Sequence, residues 1–182
     1  MDLLSEIKDH YQKHWGHYSI HKFEKGPINE LPLGFCILRF KPSPNRKMWT
    51  YATCGMSSPK RHKMIEIHIF SYTKNDFLIE LLTAIAHYHC TGAELGLGHT
   101  VNFGQPWYAN SKCEYGLISL PYLDGSSLEW MNSQYGNTQF LWLLPITREE
   151  VMYKKKYGLE ALEEQFEKGV NYLDYFRESM VK

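Results

Sequence analysis

His87, His89, Cys90 and His99 form the densest group of side chains here that could bind a metal or move a proton. Imidazole nitrogen and thiolate sulfur are good zinc donors, and such a set with one open position would make a small metal-dependent hydrolase. The spacing argues against it. His87 and His89 are two apart, which on a helix sends them to different sides, and no CxxC pair completes a tetrahedral set. We therefore read the group as polar or core-capping histidines beside a buried thiol, with no metal and no cofactor. Gly96-Leu97-Gly98 resembles a phosphate-binding loop. It follows a helix where such a loop follows a strand, however, and Val101 occupies the place of the third glycine. Its glycines are expected to permit positive φ or close backbone approach. Ser119, Ser126 and Ser127 sit in no nucleophile-elbow motif, and no HExxH or P-loop sequence occurs, so no catalytic residue is assigned.

Two other groups suit contact with a macromolecule. Glu160, Glu163, Glu164 and Glu167 lie at helical spacing and would meet a basic partner, although such a run also serves as a plain solvated face. Phe103, Trp107, Tyr108, Tyr122, Trp130 and Tyr135 fall within or beside turn-rich segments. Aromatic rings on loops remove much area from water at little entropic cost, which favours them as contact residues; the competing role is to plug sheet edges. The expected partner-binding set is Trp107, Tyr108, Tyr122, Asp124, Trp130, Glu160, Glu163 and Glu164.

The elements that must position these residues follow from periodicity and turn chemistry. Residues 2–14 form an amphipathic helix through Leu3, Leu4, Ile7 and Tyr11, ended by Trp15 and Gly16. Gly26 to Gly34, with Pro27 and Pro32, is a loop. Three strands follow closely: Phe35 to Phe40, Met48 to Cys54, and Ile65 to Phe70, where Ile65, Ile67 and Ile69 alternate with Glu66 and His68. Their close succession favours an antiparallel meander. A helix from about Asp76 to Cys90, capped by Asn75 or Thr73, is apolar nearly all round and so belongs in the interior. Residues 91–114 show no periodicity. Tyr115 to Leu120 and Gln139 to Leu144 are strands flanking a polar excursion at Asp124-Gly125-Ser126-Ser127, the second stopped by Pro145. Thr147 to Glu150 is a capping box that opens a helix. Gly158 breaks that helix, and two further apolar stripes follow: Leu159, Leu162 and Phe166, then Leu173, Phe176 and Met180. The expected fold is a single α+β domain over 1–182: a central, mainly antiparallel sheet, one buried helix at about 76–90, and flanking N- and C-terminal helices.

The 182 residues carry 20 basic and 20 acidic side chains and no net charge. The charge is uneven: residues 1–63 hold eleven basic against five acidic, and residues 64–146 hold two against seven. A neutral chain lacks the long-range field of a non-specific nucleic-acid binder, so direct nucleic-acid binding is not expected. Lys60, Arg61 and Lys63 are read as a solvated loop. Four cysteines without a CxxC pair suit reduced, buried thiols. The first residues lack a signal-peptide pattern and no apolar run is long enough to span a bilayer, so a cytoplasmic protein is expected.

The loop Gly98-His-Thr-Val-Asn-Phe-Gly-Gln-Pro-Trp107, followed by Tyr115-Gly-Leu-Ile-Ser-Leu-Pro-Tyr122, resembles the Suppressor of fused domain family. Trp142-Leu-Leu-Pro-Ile-Thr147 with Glu149 and Glu150, then Tyr157-Gly-Leu-Glu-Ala-Leu162, resemble the family's C-terminal strand-to-helix passage, and Ala86-His87-Tyr88 fits the end of its buried helix. The resemblance covers roughly residues 30–168. It implies an α+β fold without enzymatic activity. Animal members pair this domain with another and restrain a transcription factor. Short bacterial members look like immunity proteins that bind and neutralise a cognate secreted toxin, often a nuclease. The expected partner is thus a cognate protein toxin, or alternatively a transcription factor or signalling partner that the chain restrains as a regulator; oligomeric state is not legible.

Overall fold

The structure is a computed structural model that describes residues 2–25 and 28–182. Gly26 and Pro27, part of the expected loop, lie outside the described residues. The fold is α+β, and the described residues form eight strands, mostly antiparallel. The chain forms two compact units: one runs to Leu97 and resumes at Leu120–Trp142, the other comprises Gly98–Ser119 and Leu143–Lys182.

The first unit starts with helix α1, Leu3–Trp15, where Asp2 accepts the Ser5 amide hydrogen as N-cap and Gly16, at φ +80°, closes the last turn. Strands β1 (Tyr18–His21), β2 (Cys36–Phe40), β3 (Trp49–Cys54) and β4 (Ile65–Ser71) pair antiparallel in sequence order. This is the expected meander, with β1 as an additional edge strand. Helix α2, Phe77–Thr91, buries Leu78, Ile79, Leu82, Ile85 and Ala86. Asn75 Oδ1 accepts the Phe77 amide hydrogen at 3.1 Å, as expected, while Asp76 at the N-cap position makes no side-chain cap bond. Next to β4 lies β8, Gly136–Thr147, running parallel to it in the register Ile65↔Gln139 to His68↔Trp142. The order β1-β2-β3-β4-β8 completes this unit's sheet, with β7 (Trp130–Ser133) antiparallel on β8.

The expected alternation in β4 is present, with Ile65, Ile67 and Ile69 on one face and Glu66 and His68 on the other, and all seven of its residues are buried. Register places Glu66, His68 and Phe70 on the same face as Cys36, Leu38, Phe40, Cys54, Phe140 and Trp142. Helix α1 covers that face with Tyr11, whose ring lies 4.8 Å from that of Phe140, and Trp15, 5.1 Å from His68. A strand covered on both faces buries its polar residues along with its apolar ones.

Both nitrogens of His68 lack a hydrogen-bond partner. Desolvation, aided by the Arg46 charge, holds its pKa well below the ordinary 6.5. A base with a lower pKa folded than unfolded loses stability as pH falls below the unfolded value. Stability against urea should therefore fall below about pH 6.5, by up to about 1.4 kcal/mol per pH unit from this group. His68→Phe should flatten the slope relative to wild type; equal slopes in the two proteins would refute this role.

The second unit contains β5 (Thr100–Asn102), β6 (Cys113–Ser119) and the last residues of β8, in the order β8-β6-β5. Helices α4 (Arg148–Tyr157) and α5 (Leu159–Phe166) follow. The Thr147–Glu150 capping box is present in both directions, and Gly158 at φ +95° separates the helices. Two expectations fail here. Pro145 does not stop β8, which runs to Thr147. The register with β4 ends at Trp142, so no ladder bond to β4 is lost where proline lacks its N–H. Nor do Leu173, Phe176 and Met180 mark a helix: no helix follows Phe166. Burial falls on Tyr175, Arg177 and Val181. The Asn171 and Asp174 side chains accept the amide hydrogens of Leu173 and Phe176, local turns that compete with a helix.

Candidate functional site

The excursion between β6 and β8 carries three of the expected contact residues. Pro121 to Asp124 is a turn in which the Asp124 and Gly125 amides both donate to the Pro121 carbonyl at 2.9 Å. Gly125, at φ +76°, leads into the one-turn helix α3, Ser126–Glu129, and then β7. The sequence reading treated this stretch as one polar excursion and did not find α3 or β7. Each is only four residues long, too short to show a period.

Asp124 is not a contact residue, and this corrects the expectation. Its Oδ1 accepts from Trp15 Nε1 at 2.8 Å and pairs with Arg46 Nη2. The Arg46 guanidinium lies over the rings of Trp15 and Phe70, 5.3 and 4.9 Å from their centroids. Burial pulls its pKa down to about 10, which still leaves it charged at neutral pH. Asp124 thus anchors the excursion to the core of its unit through Oδ1, which meets one buried cation and one indole N–H, while Oδ2 is buried without a hydrogen-bond partner. Three further ties hold the same segment. His10 Nε2 lies 2.8 Å from the Leu128 carbonyl, His14 Nε2 lies 3.3 Å from Ser127 Oγ, and Gln139 Nε2 donates to Glu129 Oε1 at 3.0 Å.

The outer side of this pinned segment is aromatic and apolar. Tyr122 is 54% exposed, Leu123 51% and Trp130 49%. Tyr135, in the β7–β8 turn, is exposed as well. Large apolar groups held outward by a tied backbone are preorganised for contact, because little entropy remains to be lost on binding.

The other expected contact residues lie in the second unit. Trp107 is a second correction: it is 2% exposed. Its ring stacks on Tyr175 at 5.5 Å and meets Phe103 edge-on at 4.9 Å, while Nε1 donates to the Tyr115 carbonyl at 3.0 Å. A loop tryptophan whose N–H finds a backbone acceptor can be buried whole, and loop position alone does not reveal it. Tyr108 is half-buried against Tyr175 and Phe176. On α5, Glu160 and Glu164 are exposed and Glu163 is half-buried. The partner of the Trp107 ring, Tyr175, comes from the irregular tail, where sequence periodicity offered no signal.

The histidine group does not converge on a site. His87 Nε2 lies 2.5 Å from Glu30 Oε2, and His89 is buried with Nδ1 accepting the Leu95 amide hydrogen at 2.9 Å. Cys90 is buried, its thiol 3.9 Å from the Met56 carbonyl oxygen. His99 belongs to the other unit, its carbonyl bound by the Ile118 amide at 2.9 Å. Among the described residues, no three His, Cys, Asp or Glu side chains are grouped to hold a metal ion. Gly98 has the expected positive φ, +79°. Among the described residues, no helix is long and apolar enough to cross a membrane.

The Suppressor of fused protein (SUFU) family matches residues 33–178. The chain belongs to the SUFU family. A SUFU homologue from Neisseria gonorrhoeae FA 1090 is 33% identical, has a TM-score of 0.86, and aligns over 100% of this chain and 98% of its own. The fold also matches that of a chain in the Sufu–Fu complex, at 15% identity and TM-score 0.73, over 98% of this chain and 92% of that one. Drosophila Suppressor of Fused matches at 14% identity and TM-score 0.74. The match covers 98% of this chain but 51% of the Drosophila one, so the chain spans about half that SUFU protein's length. No curated protein matches in sequence.

Proposed function

We infer that this SUFU-family chain acts as one non-catalytic protein-binding domain over residues 1–182, and that it is a cytoplasmic immunity protein that captures and neutralises a cognate protein toxin. The observation that carries the binding reading is the pinned excursion with Tyr122, Leu123 and Trp130 turned outward. The Sufu of the Sufu–Fu complex is a relative by fold that is itself seen with a protein partner. That parallel also keeps a second reading open, a regulator that restrains a signalling protein. The exposed acids of α5, Glu160 and Glu164, with Glu163 beside them, would speed capture of a basic toxin such as a nuclease.

The test is co-expression of the chain with the protein encoded beside its gene, scoring survival and co-purification. Rescue and a stable complex are expected. Tyr122→Ala with Trp130→Ala should leave unfolding within about 0.5 kcal/mol of wild type, as exposed positions do, and lower affinity at least tenfold. Reversing Glu160, Glu163 and Glu164 should slow association, more so at low salt. A neighbour that is not toxic, or a complex without rescue, would reject the immunity role. An affinity unchanged by both sets would reject the site.

A further inference from the structure

A separate feature of the first unit, independent of any partner, points to covalent chemistry. Cys36 and Cys54 stand directly opposite each other on antiparallel β2 and β3. Residues opposed in this way have Cα atoms about 4.5–5.5 Å apart, inside the range of about 4.4–6.8 Å that a disulfide spans. Both side chains lie on the face covered by α1, and both are buried free thiols. The neighbouring Cys54 thiol holds Cys36 below the ordinary thiol pKa against the effect of burial, and Cys54 is pushed up in return. Lys8 and Lys22 further favour the Cys36 thiolate, against the opposing charge of Glu66. One sulfur is thus set to attack and its neighbour to follow. Cys36 is unlike the other two thiols: burial raises both Cys90 and Cys113, the latter to about 11.

We propose that Cys36 and Cys54 are a redox-modifiable pair that closes to a disulfide across the β2–β3 hairpin when hydrogen peroxide reaches it. The Cys36 sulfur attacks one peroxide oxygen; the O–O bond breaks and the departing hydroxide takes up a proton to become water. The Cys54 sulfur then attacks the Cys36 sulfenic sulfur, forming the S–S bond. The S–O bond breaks, and its hydroxyl leaves as water with the Cys54 proton. The two thiols give up two electrons and one peroxide becomes two waters. Access is governed by the first turn of α1. The Leu4 carbonyl lies 3.7 Å from Cys54 Sγ, and its side chain fills the space where Gly34 and Gly55 lack a Cβ, at 2.7 and 2.8 Å. The end of a terminal helix opens more readily than a core strand.

The full chain is treated with hydrogen peroxide, blocked with an alkylating agent, and mapped by mass spectrometry without reduction. Expected is a product lighter by two hydrogen atoms with Cys36 and Cys54 in one linked peptide pair, reversed by dithiothreitol. Cys90→Ser with Cys113→Ser should give the same link, and Leu4→Ala should speed its formation several-fold. Cys36→Ser and Cys54→Ser should abolish it; if either fails to fold, the wild-type map decides alone. Cys36 advancing to sulfinic acid without a link, a link made to Cys90 or Cys113, or all four thiols remaining alkylatable would each overturn the proposal.

Discussion

Replacing Arg177 with methionine is expected to destabilise the chain by about 3–5 kcal/mol, the range for removing one partner of a buried ion pair. Glu150 is fully buried, and its two carboxylate oxygens meet the Arg177 guanidinium at 2.5 and 2.8 Å. Arg177 Nη2 also donates to the Pro145 carbonyl at 3.0 Å. The same carboxylate accepts the Thr147 amide hydrogen in the capping box and that of Met180 from the tail, each at 2.9 Å. One carboxylate therefore ties the end of β8, the start of α4 and the C-terminal tail together. Removing the guanidinium leaves its charge without a cation in a dry site, since the two backbone donors stabilise it only in part. The tail should loosen as well, because Arg177 and Met180 are the tail residues tied to Glu150. Urea unfolding measures the loss, and protease cleavage after about residue 170 reports the tail. Adding Glu150→Gln should restore part of the stability, since an amide oxygen still caps α4 and needs no cation. A loss under about 1 kcal/mol, as for a surface pair, would refute this account.

The second large effect is expected at Glu66. Its carboxyl group is fully buried and accepts hydrogen bonds from Thr53 Oγ1 at 2.5 Å and from the amides of Gly55, Met56 and Ser57 at 3.0, 3.3 and 2.9 Å. It closes the chain where β3 leaves the sheet. Glu66→Leu strands three amides and a hydroxyl in the interior, each at about 1–3 kcal/mol, so a loss above about 3 kcal/mol is expected. For a chain of this size each kcal/mol lowers Tm by about 2–4 °C. Desolvation outweighs the four hydrogen bonds and raises the Glu66 pKa above its ordinary 4.5. The sign is opposite to that of a salt-bridged acid: this group contributes most when protonated, at low pH, and loses stability as pH rises through the raised value. Glu66→Gln, which carries no charge, should therefore be far milder than Glu66→Leu, and milder at pH 8 than at pH 5. Equal losses for the two variants would show that the hydrogen bonds contribute little.

Local signals fared well wherever the interaction that sets structure lies within a few residues. Asp2 caps α1, Asn75 accepts the first amide hydrogen of α2, Thr147 and Glu150 cap each other, Gly16 and Gly158 end helices, and the short apolar runs of β2, β3 and β4 pair as neighbours in sequence. Signals failed where the partner is far along the chain. Asp124 looked like a loop acid awaiting a partner until Trp15 and Arg46, more than 70 residues away, took its carboxylate. Trp107 looked like an exposed ring until Tyr175 stacked on it. Tyr122 and Trp130 are, like Trp107, aromatics within or beside turn-rich segments, yet remain exposed. Nothing local distinguishes the three.

The sequence by itself determined the α+β class, the order of the main elements, the reduced state expected of the cysteines, and the family, through motifs spread along the chain in a recognisable order. These rest on periodicity, turn chemistry and composition, which each residue expresses with its near neighbours. Only the tertiary structure decided which polar groups are internal anchors and which aromatics remain available to a partner. It also placed Cys36 opposite Cys54. The physical reason is that burial and pairing are properties of a residue's surroundings, and for Asp124, Trp107, Glu66 and Cys36 those surroundings are assembled from segments that meet only on folding.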